Sequence, residues 1–181
     1  MRLQERYKKE ILPSLQKEFG IKNILATPRL VKVVLNVGVG RQTKEQAFVD
    51  NVEKTLTRIT GQKPVKTKAR KSIASFKVRE GQIIGLKVTL RGQRMYDFLE
   101  KLVSVSFPRI RDFRGISDKM VDKQGNMTIG FKEHTAFPEV RAEDIDNVHG
   151  LEICIDTTAE NRETGLALFR ALGFPFKTEE K

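Results

Sequence analysis

The chain has 181 residues and a formal net charge of +11, with 39% hydrophobic residues, enough to bury a real core. No run approaches the roughly 20 apolar residues of a membrane span, the N-terminal segment is too charged for a signal peptide, and the single cysteine, Cys154, excludes an intrachain disulfide. The expected setting is a reducing cytoplasm, and the charge excess points to a polyanionic partner.

Tyr7, Ile11, Leu15 and Phe19 recur at helical spacing, which predicts an amphipathic helix over residues 3–19 closed by Gly20. Pro13 lies inside that pattern and predicts a kink or break near residue 12. From Arg29 to Val37 the residues alternate as in a strand: Val31, Val33, Leu35 and Val37 share one face, and Lys32, Val34 and Asn36 the other. A Gly38-Val39-Gly40 turn follows. Thr43-Lys44-Glu45-Gln46 reads as a capping box for a second helix, with Phe48, Val52, Leu56 and Ile59 inward and Gly61 at its end.

The twenty residues Gly61 to Glu80 hold seven basic side chains (Lys63, Lys66, Lys68, Arg70, Lys71, Lys77, Arg79) against one acid, Glu80. Such a segment suits a polyanion, whose phosphates release condensed counterions to Lys and Arg; the other reading is a solvated basic loop. Ile83 to Arg91 is again strand-like, with Lys87, Thr89 and Arg91 on one face and Val88 and Leu90 on the other. A third helix is expected from about Gln93 to Val105, with Met95, Leu99 and Leu102 inward. Residues 107–126 read as irregular, and strands are expected at Met127–Lys132 and Leu151–Asp156. Thr157-Thr158-Ala159-Glu160 reads as a capping box for a last helix with Leu166, Phe169 and Leu172 on its core side. Residues 133–163 carry nine acids against Arg141 and Arg162, either a solvated acidic face or a contact for a basic partner.

These elements imply an α+β fold: a single largely antiparallel sheet with helices packed on one face and long basic loops. One domain is expected over 1–181, with an N-terminal RNA-binding part (1–80) and a C-terminal part (81–181). Lys32, Asn36, Lys87, Thr89 and Arg91 would stand on the open face of the sheet, as a solvated surface or as a flat RNA platform. Catalytic chemistry is not legible. His134 and His149 lack metal-ligand spacing, Cys154 alternates with Ile153 and Ile155, Thr43 stands where a dinucleotide turn needs a third glycine, and no phosphate-loop motif occurs. No enzyme activity, cofactor or metal is expected. An RNA-modifying enzyme or RNA chaperone, and an adaptor binding an acidic protein through residues 61–80, are the competing classes.

Several stretches together resemble the bacterial large-subunit ribosomal protein five family. They are Thr27-Pro28-Arg29-Leu30 with Val34-Leu35-Asn36-Val37-Gly38, Gly61-Gln62-Lys63-Pro64 running into residues 67–74, and Phe76 to Gly81. Downstream come Phe107 to Gly115, Phe137-Pro138-Glu139, Thr157-Thr158-Ala159 and Gly173-Phe174-Pro175-Phe176, all in the family's order. His134 and His149 fall outside these motifs. The resemblance implies a structural protein of the central protuberance whose open sheet face and adjoining loops hold 5S rRNA. Its implied rRNA-binding residues are Thr27, Arg29, Lys32, Asn36, Gln62, Lys63, Lys87, Thr89 and Arg91. It further implies contact with peptidyl-site tRNA through Lys68, Arg70, Lys71, Ser75, Phe76, Lys77 and Arg79. An intersubunit contact with small-subunit head protein thirteen is implied through Arg109, Arg111, Glu139, Glu143, Asp144 and Asp146. 23S rRNA and other central-protuberance proteins complete the implied partners, with no membrane and no small-molecule substrate. At Phe76 the residues leave two readings open, a loop tip that touches RNA and an aromatic that anchors the loop to the core.

Overall fold

Side-chain alternation decides how the sheet of this protein is built. In the computed structural model, residues 2–40, 45–140 and 148–177 are described. Among them β1 (Leu30–Gly38), β2 (Val65–Lys68), β3 (Ile83–Leu90), β4 (Met127–Phe131) and β5 (Leu151–Thr157) form one antiparallel sheet in the order β2-β3-β1-β5-β4. With its helices this is the α+β class that the sequence predicts. The chain divides into two compact units that interleave along the sequence: Met1–Val33, Leu90–Ile129 and Cys154–Lys181 form the first, and Val34–Thr89 and Gly130–Ile153 the second.

In the second unit Leu35 and Val37 of β1 and Leu86 and Val88 of β3 are buried, while Asn36 and Lys87 between them are exposed. The helix Gln46–Thr60 turns Phe48, Val49, Val52, Leu56 and Ile59 inward. It ends at Gly61 in the left-handed region (φ 66), whose N–H donates to the Thr57 carbonyl at 2.8 Å. Its N-cap is Glu45, which makes no side-chain capping bond; Thr43 of the expected capping box lies outside the described residues. A strand inside the basic stretch is a departure from the sequence reading. β2 runs antiparallel to β3 with Val65 opposite Lys87 and Thr67 opposite Gly85. Its four residues are too short, and too rich in Lys, to show a strand pattern of their own.

In the first unit both prolines within helical segments follow a widened turn. A π-helical turn, Tyr7–Ile11, separates the α-helical segments Leu3–Arg6 and Leu12–Glu18, and Pro13 sits at the start of the latter. The helix Gly92–Lys101 likewise continues as a π-helical turn, Leu102–Ser106, ahead of Phe107–Arg109 and its Pro108. Proline supplies no N–H and its ring crowds the carbonyl four residues back, so the wide turn absorbs what would otherwise be a sharp break. The stretch after Pro108, expected to be irregular, is held in place. Phe113 stacks on Phe107 at 5.2 Å, Phe107 meets Phe174 edge-on at 6.1 Å, and the Ile116 N–H donates to the Pro175 carbonyl at 2.7 Å.

Three sequence expectations in this unit need correction. Val31 is 36% exposed, because burial falls on Leu30 and Val33 and the alternation slips between them. Thr157 does not cap a helix: its hydroxyl donates to the Gly125 carbonyl and its N–H to Asn126 Oδ1, both at 2.9 Å, tying the end of β5 to the 122–126 turn. The last helix starts at Arg162 instead, capped by Asn161, which accepts from the Thr164 N–H at 2.9 Å. On that helix Leu168, Phe169 and Gly165 are buried, whereas Leu166 is only half-buried.

Tyr7 ties the N-terminal helix to the chain leading into β1. Its hydroxyl donates to the Pro28 carbonyl at 2.9 Å and its ring lies 6.0 Å from Tyr96. Burial, reinforced by Tyr96 and opposed by Arg29, raises its phenol from 10.0 to about 12. The folded state therefore retains a proton that the unfolded state releases. This contribution is complete below pH 10 and is lost as pH rises from 10 toward about 12. Tyr7→Phe is expected to cost about 1 kcal/mol at neutral pH through the lost hydrogen bond, and to flatten the decline in stability above pH 10, as read by urea melts across pH.

Candidate nucleic-acid interface

The second unit carries the best-defined polar surface. Because Leu86 and Val88 point into its core, Lys87 and Thr89 point the other way, and Asn36 does so from β1. Among the described residues the Asn36 amide and the Thr89 hydroxyl make no side-chain hydrogen bond, and Lys87 has no carboxylate partner. A cation beside two short neutral groups on a flat strand surface is equipped to bind a phosphate while hydrogen-bonding the sugar or base next to it. Gln62 is half-buried, and its Nε2 donates to the Thr89 carbonyl at 3.3 Å. It therefore joins the end of the helix to β3 and offers only part of its amide to a ligand. Register also brings Thr67 of β2 opposite Gly85, a pairing no periodicity in the sequence announces.

Not every lysine of the basic stretch is available. Lys66 is out of phase with Lys87, standing opposite Leu86, so it points toward the Gln46–Thr60 helix. There its ammonium lies 2.8 Å from Glu53 and 3.5 Å from Asp50. The hydrogen bond from Lys66 is the main cause that holds the Glu53 carboxyl below its ordinary value, and the same bond raises Lys66. Lys63 reaches Glu53 at 3.6 Å but remains 82% exposed.

From Ala69 to Gln82 the chain forms a closed hairpin. The Ala69 N–H donates to the Gln82 carbonyl at 2.8 Å, and Ile73 and Val78 exchange bonds of 2.9 and 3.2 Å. Ser72 Oγ and Gln82 Oε1 accept from the N–H groups of Glu80 and Arg79. At the tip a short turn, Ala74–Phe76, ends on Lys77 with φ 53. Arg70, Lys71, Ser75, Lys77 and Arg79 are exposed or nearly so, as is Lys68 at the end of β2, and none of these cations has an ion-pair partner among the described residues. Phe76 is 73% exposed. The reading of Phe76 as a buried core anchor is thereby overturned; with Ile73 and Val78 it lines an open cavity of about 1200 Å³.

In the first unit Arg29 is exposed, and its backbone N–H donates to Thr158 Oγ1 at 3.1 Å. Lys32 is half-buried against Asp156 at 2.9 Å, and the Arg91 guanidinium reaches the Val31 carbonyl at 3.5 Å. Thr27 is only 1% exposed, so its side chain cannot serve as the surface contact expected of it; nothing in the local pattern marks the residue before Pro28 as turning inward. Arg109 and Arg111 are exposed on the stretch held by Phe113, without an acidic partner among the described residues. In the second unit Glu139 is half-buried; Glu143, Asp144 and Asp146 lie outside the described residues. His134 and His149, set aside by the sequence reading, are both buried and stack at 4.0 Å, with the His149 N–H donating to His134 Nδ1 at 3.3 Å. They are core residues.

Family profiles cover most of this chain. One described as ribosomal protein L5 matches residues 23–79, and one described as the C-terminus of the same ribosomal family matches residues 83–176. The chain belongs to the ribosomal protein L5 family. Its relatives include the large ribosomal subunit protein uL5 of Leifsonia xyli subsp. xyli, 52% identical over 179 residues, which are 99% of this chain and 92% of the relative. The uL5 protein of Halothermothrix orenii is 52% identical over 174 residues, 96% of this chain and 97% of the relative. That of Solibacter usitatus is 49% identical over 176 residues, 97% and 98% of the two chains. The L5 family is one of structural ribosomal proteins and not of enzymes.

The two lysines of β2 and β3 separate structure from binding. Because Glu53 is held below its ordinary range, its contribution is complete at neutral pH and is lost as pH falls through that lowered value. Lys66→Gln is expected to lower stability at neutral pH by less than about 1 kcal/mol, the pair being partly exposed, and to shrink the loss seen on acidification. Lys87→Gln should leave denaturant melts unchanged within about 0.5 kcal/mol at either pH.

Proposed function

We propose that this L5-family protein is a structural constituent of the large ribosomal subunit that binds 5S rRNA and helps attach it to the central protuberance. The observation that carries the reading is the uncommitted set Asn36, Lys87 and Thr89 on the exposed side of β1 and β3 in the second unit. Gln62 and Lys63 contribute from the turn before β2. In the first unit Arg29, Lys32 and Arg91 supply further charge, with Lys32 already paired with Asp156. The closed hairpin, through Lys68, Arg70, Lys71, Ser75, Phe76, Lys77 and Arg79, contacts peptidyl-site tRNA: its cations meet phosphate and its exposed aromatic offers a stacking surface. Arg109 and Arg111 from the first unit, and Glu139 with the neighbouring acids from the second, contribute to a bridge to a small-subunit head protein. 23S rRNA and neighbouring proteins of the protuberance are the remaining partners.

The platform is tested by filter binding of a 5S rRNA transcript over a range of salt. Asn36→Ala and Thr89→Ala should each weaken binding by about 1–3 kcal/mol, through loss of a hydrogen bond that leaves its RNA partner unsatisfied. Neither should change the salt slope, since no charge is removed. Lys87→Gln should reduce the slope of log K against log salt by about 0.7–0.9. Parent-like binding by all three variants would remove the platform from the RNA interface.

The hairpin is tested separately. Replacing Lys77 and Arg79 together with Ala should leave the fold and most 5S rRNA affinity intact, because the closing hydrogen bonds of the hairpin are made by other groups or by backbone. On reconstituted ribosomes the same variant should release peptidyl-site tRNA faster. Unchanged tRNA release with lost 5S rRNA binding would assign the hairpin to the first RNA instead.

A further inference from the structure

Gly85 stands in the middle of the polar surface of the second unit and has no room for a side chain. A Cβ built there would lie 2.9 Å from Thr67 Oγ1, 3.0 Å from the Val37 carbonyl oxygen and 3.9 Å from Asn36 Oδ1. Thr67 comes from β2 and Asn36 from β1, the strands on either side of β3, so the missing methyl lets two neighbouring strands lean polar groups over the central one. The Thr67 hydroxyl is half-buried and makes no hydrogen bond among the described residues, and neither does the Asn36 amide. The register irregularity between Thr67 and Lys68 falls at the same spot. Register places Thr67 on the same face as Gly85, and its hydroxyl occupies the space a side chain at Gly85 would take.

We propose that Thr67, seated on Gly85 beside Asn36, reads ribose 2′-hydroxyls of the bound RNA, and is an RNA-recognition residue in addition to Asn36 and Thr89. The inference rests on the platform reading given above. A 2′-hydroxyl is both donor and acceptor, and it meets here a hydroxyl and an amide with the same double capacity. A phosphate would need a cation at this point, and the cation, Lys87, stands two residues further along β3 on the same face. The notch thus accepts a neutral sugar group while Lys87 takes the adjoining phosphate. A flat strand surface suits the wide, shallow minor groove in which A-form RNA displays its 2′-hydroxyls. Gly85 is a positioning residue: any side chain there displaces Thr67 or pushes β3 away from Val37.

The test uses the full-length protein, a 5S rRNA transcript and two transcripts of the same sequence carrying 2′-fluoro groups at pyrimidines or at purines. Thr67→Val, which replaces the hydroxyl by a methyl of similar size, should weaken binding to the unmodified transcript about 5- to 20-fold, with no change in salt slope. Thr67→Ser, which keeps the hydroxyl, should bind within about 3-fold of the parent. Gly85→Ala should lose affinity like Thr67→Val; should it fail to fold, the Thr67 pair still decides the question. For at least one 2′-fluoro transcript, the loss of affinity caused by the modification should be smaller in Thr67→Val than in the parent, since that contact is already gone. Equal losses in both proteins on both transcripts would show that Thr67 meets a base or phosphate, and would overturn the 2′-hydroxyl assignment. Parent-like binding by Thr67→Val, with Asn36→Ala and Lys87→Gln impaired, would remove Thr67 while leaving the platform. Parent-like binding by all of them would bring down the platform reading itself.

Discussion

The phase of β3 is the constraint on which the rest of the second unit depends. With a side-chain period of two, burying Leu86 and Val88 leaves Lys87 and Thr89 no alternative but the opposite face. A slip of one residue would drive Lys87 into the apolar interior, where an unpaired ammonium is far more costly than the hydrophobic contacts it would displace are favourable. The same phase dictates what happens on β2. Lys66, opposite Leu86, is brought to the helix side and becomes tolerable there only because Asp50 and Glu53 meet it. Thr67, opposite Gly85, is brought to the polar side. One register therefore sorts the lysines of a very basic sequence into one that holds the fold and others that remain free.

The first unit solves a different problem, that of accommodating prolines in helices without breaking them. In both places a π-helical turn precedes the proline, and in both the residues of that turn are well anchored: Tyr7 and Ile11 are buried in one, Leu102 and Ser106 in the other. The second of these leads directly into the aromatic stack of Phe107, Phe113 and Phe174. That stack and the pairing of Ile116 with Phe176 hold the chain after Pro108, and Arg109 and Arg111 are displayed from it. Ordered arginines lose less side-chain and backbone freedom on meeting a partner than arginines on a floppy loop would.

What the sequence made legible follows from which signals are local. Asn36, Lys87 and Thr89 could be placed on an exposed face because each is flanked by apolar neighbours in strict alternation. The helix over Gln46–Thr60 declared itself by its stripe and by Gly61. Signals that depend on a partner strand were hidden. β2 reads as loop until it is laid against β3, and the burial of Thr27 or the helix pairing of Lys66 cannot be seen in one dimension. The threonine box at Thr157 misled for a related reason: its hydroxyl had a better acceptor in Gly125, and Asn161 lay closer to the first helical turn. Family resemblance supplied the expected ligands of the site, and geometry then showed which side chains are free to meet them.

Charge explains why the hairpin is held by so many specific bonds. Arg70, Lys71, Lys77 and Arg79 lie within ten residues of one another, and Glu80 is the single acid in their stretch. Their mutual repulsion opposes closing the hairpin, the more so at low salt, where the Debye length exceeds their spacing. Backbone bonds from Ala69 to Gln82 and from Gly81 back to Ala69, the exchanged pair at Ile73–Val78, and Ser72 and Gln82 side chains accepting from the returning strand are what keep it shut. Salt therefore acts with opposite sign on two properties of the same segment. It relieves repulsion and steadies the free hairpin, yet it weakens any complex in which those cations replace counterions on a phosphate backbone. A hairpin this basic has to carry its order in hydrogen bonds, since its charges work against that shape wherever no polyanion neutralises them.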